Sequence, residues 1–185
     1  MEAESGKILI DDVDISGIGL NELRHALTII PQEPTLVEGS VKENVDMEGS
    51  FDEEEIIDVM KKVGLESFLG DKTLNYKIED KGSNISVGER QLICIARAVL
   101  RKTKIIVMDE ATASIDFKTE SLIQSCISNL LKDSTVITIA HRIKTVLKYD
   151  KILVMDEGKL VEFDTPEELI KKKGFFYNLY NKSNI

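Results

Sequence analysis

The sequence predicts an α/β fold built on parallel strands, and three observations carry that reading. Two short Ile- and Val-rich runs, Ile105–Met108 and Val136–Ile139, flank a helix-like stretch from Lys118 to Leu131. That is the pattern of a parallel βαβ unit. Similar runs at Lys7–Ile10, Leu27–Ile30 and Ile152–Met155 are bounded by polar residues, as buried strands are. Residues from about 40 to 100 lack such runs and carry apolar residues at helical spacing instead. The expected organisation is therefore an α/β core, 1–39 and 101–185, around a helical segment, 40–100.

In chain order, Ser50 and Glu53 are spaced as a capping box, with Ile56, Met60 and Val63 as the apolar stripe and Gly64 as the stop. Ser86 and Glu89 form a second such pair, followed by Leu92, Ile95, Ala96 and Val99 at i, i+3, i+4 and i+7. After the βαβ unit, Met155 to Val161 reads as two strands joined by a Gly158 turn. A last helix opens with Thr165 as N-cap, Pro166 in the first position and Glu168 closing a capping box.

Composition narrows the function. With 185 residues the chain is one domain, or one domain with an insertion. It holds 24 basic and 33 acidic residues, a net charge of −9, which repels nucleic-acid backbones. Eight acids and no bases lie between Lys42 and Lys61, which reads as a solvated helix start favoured by the macrodipole. Cys94 and Cys126 are too few for a disulfide scaffold, have no metal-ligand spacing with His25 or His141, and point to a reducing compartment. No apolar run approaches the roughly 18 to 20 residues that a membrane helix needs, so insertion of this chain into a membrane is not expected.

Four features carry chemistry. Asp109 and Glu110 end an apolar strand, where an α/β crevice would let Asp109 hold hydrated Mg²⁺ and Glu110 act on an attacking water. Alone, the pair is equally a strand-ending turn. Ser86, Gly88 and Glu89 begin a helix whose free N–H groups and missing Gly88 side chain suit a phosphate, although most such sequences are plain helix caps. His141 follows the strand Val136–Ile139 and reaches the same carboxyl edge as Asp109. Gln32 follows Leu27–Ile30 and Pro31, and its amide could complete a metal shell or touch a water. Singly, the last two are ordinary surface residues.

Their order changes the reading, because at this point the chain resembles an ATP-binding-cassette nucleotide-binding domain from about Ser5 to its end. Ile30-Pro31-Gln32 resembles the Q-loop, Ile85-Ser86-Val87-Gly88-Glu89 the signature loop and Ile105 to Glu110 Walker B. Ala113-Ser114-Ile115-Asp116 resembles the D-loop and Ala140-His141-Arg142 the switch-histidine loop. The phrases Gly6 to Asp11, Pro31 to Pro34 and Asp109 to Ala113 are most similar to the second such domain of C-type, multidrug-resistance-associated exporters. The resemblance implies a P-loop NTPase-like α/β core with a mostly parallel sheet and an inserted α-helical subdomain.

It also implies ATP and Mg²⁺ as cofactors, a second nucleotide-binding domain and transmembrane domains as partners, and the cytoplasmic face of a membrane as location. Carried over, Glu110 is the general base, Asp109 the Mg²⁺ partner, Gln32 the metal and water contact, and His141 the γ-phosphate sensor. Ser86, Gly88 and Glu89 would face the γ-phosphate held by the opposite domain, and Asp116 would cross the interface between the two. An alternative from another class is a non-catalytic module that lends its signature loop to a partner's ATP. A chromosome-associated ATPase of the same superfamily is disfavoured, since the middle third shows no sustained heptads.

Some features depart from the family. No G-x-x-x-x-G-K-[ST] motif is present; Gly6-Lys7 and Gly158-Lys159 are followed by Ile8 and Leu160. Met1 thus falls inside the usual domain, and the chain is expected to be a fragment that is inactive on its own. Losing even three charge-assisted hydrogen bonds of roughly 1.5 to 3 kcal/mol each lowers ATP affinity by about 10³ to 10⁶. The strands Ile105–Met108 and Val136–Ile139 are expected to lose apolar cover, favouring aggregation. Glu89 stands where the family usually has Gln, which strengthens the cap but places negative charge near a phosphate, and Asp80 where Glu is common.

Overall fold

The structure, a computed structural model, describes residues 5–66, 68, 74–109, 115–140 and 142–183. It divides into two compact units, Met1–Thr138 and Ile139–Ile185.

The first unit opens with a hairpin, β1 (Leu9–Ile10) and β2 (Val13–Asp14), whose two-residue loop places Asp11 and Asp12 at positive φ. This is the primed turn that matches strand twist, and Asp tolerates it better than most residues. Helix α1 (Leu20–Ala26) leads directly into β3 (Leu27–Ile30). Strand β3 pairs in parallel with β6 (Ile105–Asp109), in a register running from Leu27 opposite Ile105 to Ile30 opposite Met108. The third strand of this sheet is β7 (Thr135–Ile139), in the order β3-β6-β7. Thr135 N–H donates to the Lys104 carbonyl at 2.7 Å, so β7 starts beside the start of β6. Alternation then decides the two faces: Ile30, Ile106 and Met108 are buried, whereas Ile29 is 67% and Ile137 54% exposed. One sheet face is packed and the other is open.

The packed face receives α4 (Val87–Arg101), whose Leu92, Ile93, Ile95 and Ala96 are buried with Ile30, Ile106 and Met108 in one cluster. Helix α5 (Phe117–Leu130) adds Ile123, Cys126 and Ile127 to it. Thr103 and Thr28 bridge the strand starts through a buried hydroxyl–hydroxyl bond of 2.7 Å.

The middle segment is helical but not wholly so. Short strands β4 (Gly39–Ser40) and β5 (Lys77–Ile78) pair antiparallel on either side of α2 (Val41–Val45) and α3 (Glu53–Lys62), which the sequence did not suggest. The capping box of α3 is Asp52 with Glu55, not Ser50 with Glu53, because the Asp46 carboxylate already accepts the N–H groups of Ser50 and Phe51. Ile56, Met60 and Val63 are fully buried as expected. Gly64, at φ +81°, ends α3: its N–H donates to Lys61 and that of Leu65 to Met60, the paired bonds of a Schellman motif.

In the second unit β8 (Ile152–Asp156) and β9 (Lys159–Asp164) form an antiparallel hairpin turning at Glu157 and Gly158, both at positive φ. Its core is Ile152, Val154, Leu169 and Phe176, supported by α6 (Ile143–Val146), α7 (Pro166–Lys172) and α8 (Phe175–Ser183). Thr165 caps α7 with Pro166 in the first turn, but only half of the expected box forms. The Thr165 N–H goes to Asp164 at 3.0 Å, while Glu168 pairs with Lys171.

Candidate functional site

A parallel pair in register must end at a common edge. With Ile30 opposite Met108, β6 reaches Asp109 where β3 gives way to Pro31 and then Gln32. Both Asp109 and Gln32 are exposed there. The sheet thus brings together a carboxylate and an amide that are 77 positions apart in sequence (109 − 32). Two oxygen donors of this kind suit a hard cation that keeps water and phosphate for its remaining ligands. Among the described residues no group of three or more His, Cys, Asp or Glu side chains gathers to cage a metal by itself. An exposed carboxylate and an amide oxygen are donors of the type that Mg²⁺ accepts.

The second component is the tip of α4. Ser86 Oγ accepts the Glu89 N–H at 3.2 Å, and Glu89 Oε2 accepts the Ser86 N–H at 2.8 Å. This reciprocal capping box leaves the Ser86 hydroxyl hydrogen free to donate outward from an exposed position. Arg90 stiffens the preceding loop by donating to the Gly82 and Ile85 carbonyls at 2.9 and 3.4 Å. Gly88 is buried, and a Cβ there would stand 2.6 Å from Thr119 Cγ2, so close approach of α5 by itself calls for a residue without a side chain at this position.

Asp116 N-caps α5, its Oδ1 accepting the Lys118 and Thr119 N–H groups at 3.0 Å each. The hydroxyl and N–H of Thr119 hold its carboxyl below the usual aspartate range. Since Thr119 also meets Gly88, the caps of α4 and α5 adjoin. Glu110 and His141, with Ala111 to Ser114, lie outside the described residues. A residue the sequence did not single out connects the two components: Gln91 Nε2 donates to the Gln32 carbonyl at 3.0 Å and the Pro31 carbonyl at 3.4 Å. Only its position as a polar residue inside an apolar helix could have flagged it. A cavity of about 370 Å³, lined by Arg24, Pro31, Met47, Phe51 and Arg97 among others, includes neither Gln32, Ser86 nor Asp109.

Parallel strands leading to Gln32 and Asp109, with a capped Ser86 helix tied to their edge, form an α/β fold of the P-loop NTPase-like class. Residues 1–113 match the ABC transporter family, and the chain belongs to it. Over its whole length it is 46% identical to ATP-binding cassette sub-family C member 2 of Mus musculus and of Homo sapiens, and 45% identical to member 3 of Homo sapiens. It spans 12% of the length of each of these C-type relatives. Among solved structures, a bacterial Atm1-family ABC exporter with ATP bound superposes with a TM-score of 0.90 at 30% identity, covering 98% of this chain and 32% of that one.

Proposed function

We propose that this chain is part of a nucleotide-binding domain that couples ATP binding and hydrolysis to transport through membrane domains of an exporter. The observation that carries this reading is the common edge of β3 and β6, where Gln32 and Asp109 follow the paired strand ends and helix α4 is tied to the Gln32 loop. Within it, residues 40–100 serve as the helical subdomain and 1–39 with 101–185 as the α/β core.

Magnesium-bound ATP would supply an electrophilic γ-phosphoryl group and a charge-neutralised leaving group. Asp109 and Gln32 then provide oxygen ligands and orientation at the strand edge. Glu110 draws a proton from the attacking water as general base, and His141 senses the γ-phosphate. Ser86 donates its hydroxyl across a domain interface to the partner's nucleotide, and the N–H groups near Gly88 add the positive end of the helix dipole. Asp116 lies at the same interface. The partners are a second nucleotide-binding domain and the transmembrane domains, and the location is the cytoplasmic face of a membrane. Among the described residues no helix is long and apolar enough to cross a membrane. The net charge of −9 gives no footing for nucleic acid.

The 185 residues contain no Walker A motif, and the chain alone is proposed to be inactive. Calorimetric titration of the purified chain with Mg·ATP is expected to show no binding tighter than millimolar; micromolar binding overturns this. In the full-length transporter, Glu110→Gln is expected to abolish ATP-driven uptake into inverted vesicles while nucleotide still binds. Wild-type hydrolysis by that variant would remove Glu110 from the mechanism.

A further inference from the structure

We propose that Gln91 is a positioning residue that locks the Gln32 loop to helix α4, so that the signature-helix tip and the Gln32 side chain move as one body. The proposal rests on the reading of Gln32 given above. Gln91 lies five residues beyond Ser86, about 7.5 Å along the helix axis, and is 1% exposed. Its Nε2 carries two hydrogens, and two successive carbonyls, those of Pro31 and Gln32, receive them across 60 and 59 residues of sequence. Those acceptors fix which way round the amide sits, since an oxygen facing two carbonyl oxygens would be repelled. The Gln91 Oε1 is buried with no hydrogen-bond partner among the described residues, so the amide is retained at a cost that an apolar side chain would avoid.

A second clamp from the same helix closes the other end of the loop. Arg97 Nη1 donates to the Thr35 carbonyl at 3.0 Å, and Leu36 follows as a buried anchor. Pro31 and Pro34 stiffen the four residues between β3 and these anchors. The Gln32 backbone is therefore held by α4 rather than by its own strand, while its side chain stays exposed at the edge shared with Asp109. Any shift of α4 along or away from the sheet draws that side chain with it. Gln91 acts through Gln32 and touches no reacting atom.

The test is a double-mutant cycle on steady-state ATPase of the full-length transporter. Gln32→Ala keeps the backbone carbonyl, and so keeps the clamp, but removes the side chain the clamp positions. Gln91→Leu is expected to lower kcat about tenfold with ATP KM within about twofold, and to raise the Mg²⁺ concentration needed for half-maximal rate. In the Gln32→Ala background the same change is expected to alter kcat less than about twofold. Equal losses in both backgrounds, or an unmoved Mg²⁺ dependence, would show a merely structural role and overturn the proposal. If Gln32→Ala alone leaves ATPase unchanged, the reading of Gln32 fails, and the clamp is judged by a nitroxide on Glu33→Cys. That label is expected to gain mobility with Gln91→Leu, and unchanged mobility overturns the clamp itself. Should Gln91→Leu fail to fold, Gln91→Met, unbranched and closer in length, takes its place in both measurements.

Discussion

Gly88 and Thr119 are in contact across two helix N-termini: the methyl of Thr119 occupies the space that a side chain at position 88 would need. Helix α4 can therefore bring its first turn against α5 only because residue 88 has no Cβ. The separation of 2.6 Å is too short to be relieved without moving one helix or rotating Thr119. Gly88→Ala is expected to lower the melting temperature of the protein that contains this domain. Adding Thr119→Ala removes the methyl but keeps the backbone N–H that Asp116 accepts, and should recover most of the loss. Additive destabilisation in a thermal melt would show that Gly88 is needed for some other reason.

The capping box at the same tip separates charge from structure. Glu89→Gln preserves an oxygen able to accept the Ser86 N–H, so stability should stay near that of the wild type while a negative charge leaves the proposed phosphate surface. The expected outcome is an unchanged melt and a raised ATPase in the full-length protein. Ser86→Ala loses the cap as well as the outward hydroxyl, costing about 1 kcal/mol of stability and most of the ATPase. An Ser86→Ala variant with full ATPase would take Ser86 out of the site.

Asp46 and Asp116 are among the carboxylates that should make the fold acid-sensitive. Burial pushes the Asp46 carboxyl up, but the N–H groups of Phe51, Ser50, Glu48 and Gly49 more than offset it and leave it below its ordinary value. Both carboxylates thus have folded pKa values beneath the unfolded value of about 3.9. Their stabilising effect is present above that unfolded value and disappears as pH falls through the depressed folded one. Asp116→Asn keeps an N-cap oxygen, and its melting temperature is expected to match the wild type at neutral pH and to fall less steeply on acidification. Identical acid slopes in the two proteins would refute the assignment.

How much of this was legible in the sequence differs element by element. The strand Leu27–Ile30 was visible to the residue because it is a short apolar run that Pro31 stops. Gly64 was visible because a left-handed helix stop needs glycine. The start of α3 was misplaced by two residues, since Ser50-x-x-Glu53 and Asp52-x-x-Glu55 overlap and only the folded Asp46 loop chooses between them. Strands β4 and β5 have two residues each, too few for any period to register. The βαβ pattern implied an edge shared by Asp109 and His141, but the place of β3 beside β6, and the tie through Gln91, required the sheet order and the face of α4 that meets the loop. At Gly88 the sequence suggested room for a phosphate, and the fold adds a packing demand from Thr119 that no spacing could announce.

The two cysteines report on the integrity of the first unit, which makes them a test of how well its one-sided sheet holds together. Burial raises the Cys126 thiol to about 11. It also raises that of Cys94, against the opposing charge of Arg97. At neutral pH neither side chain offers appreciable thiolate, and each is at most 4% exposed. Reaction with an alkylating reagent must therefore wait for local or global opening. The open sheet face at Ile29 and Ile137 is expected to lower the barrier to that opening in the isolated 185-residue chain. Both thiols are expected to be slow to alkylate in the full-length protein and markedly faster in the isolated chain, followed by intact mass over time. Equal rates in the two contexts would mean that the open face does not weaken the fold, and that a sheet covered on one side alone is sufficient here.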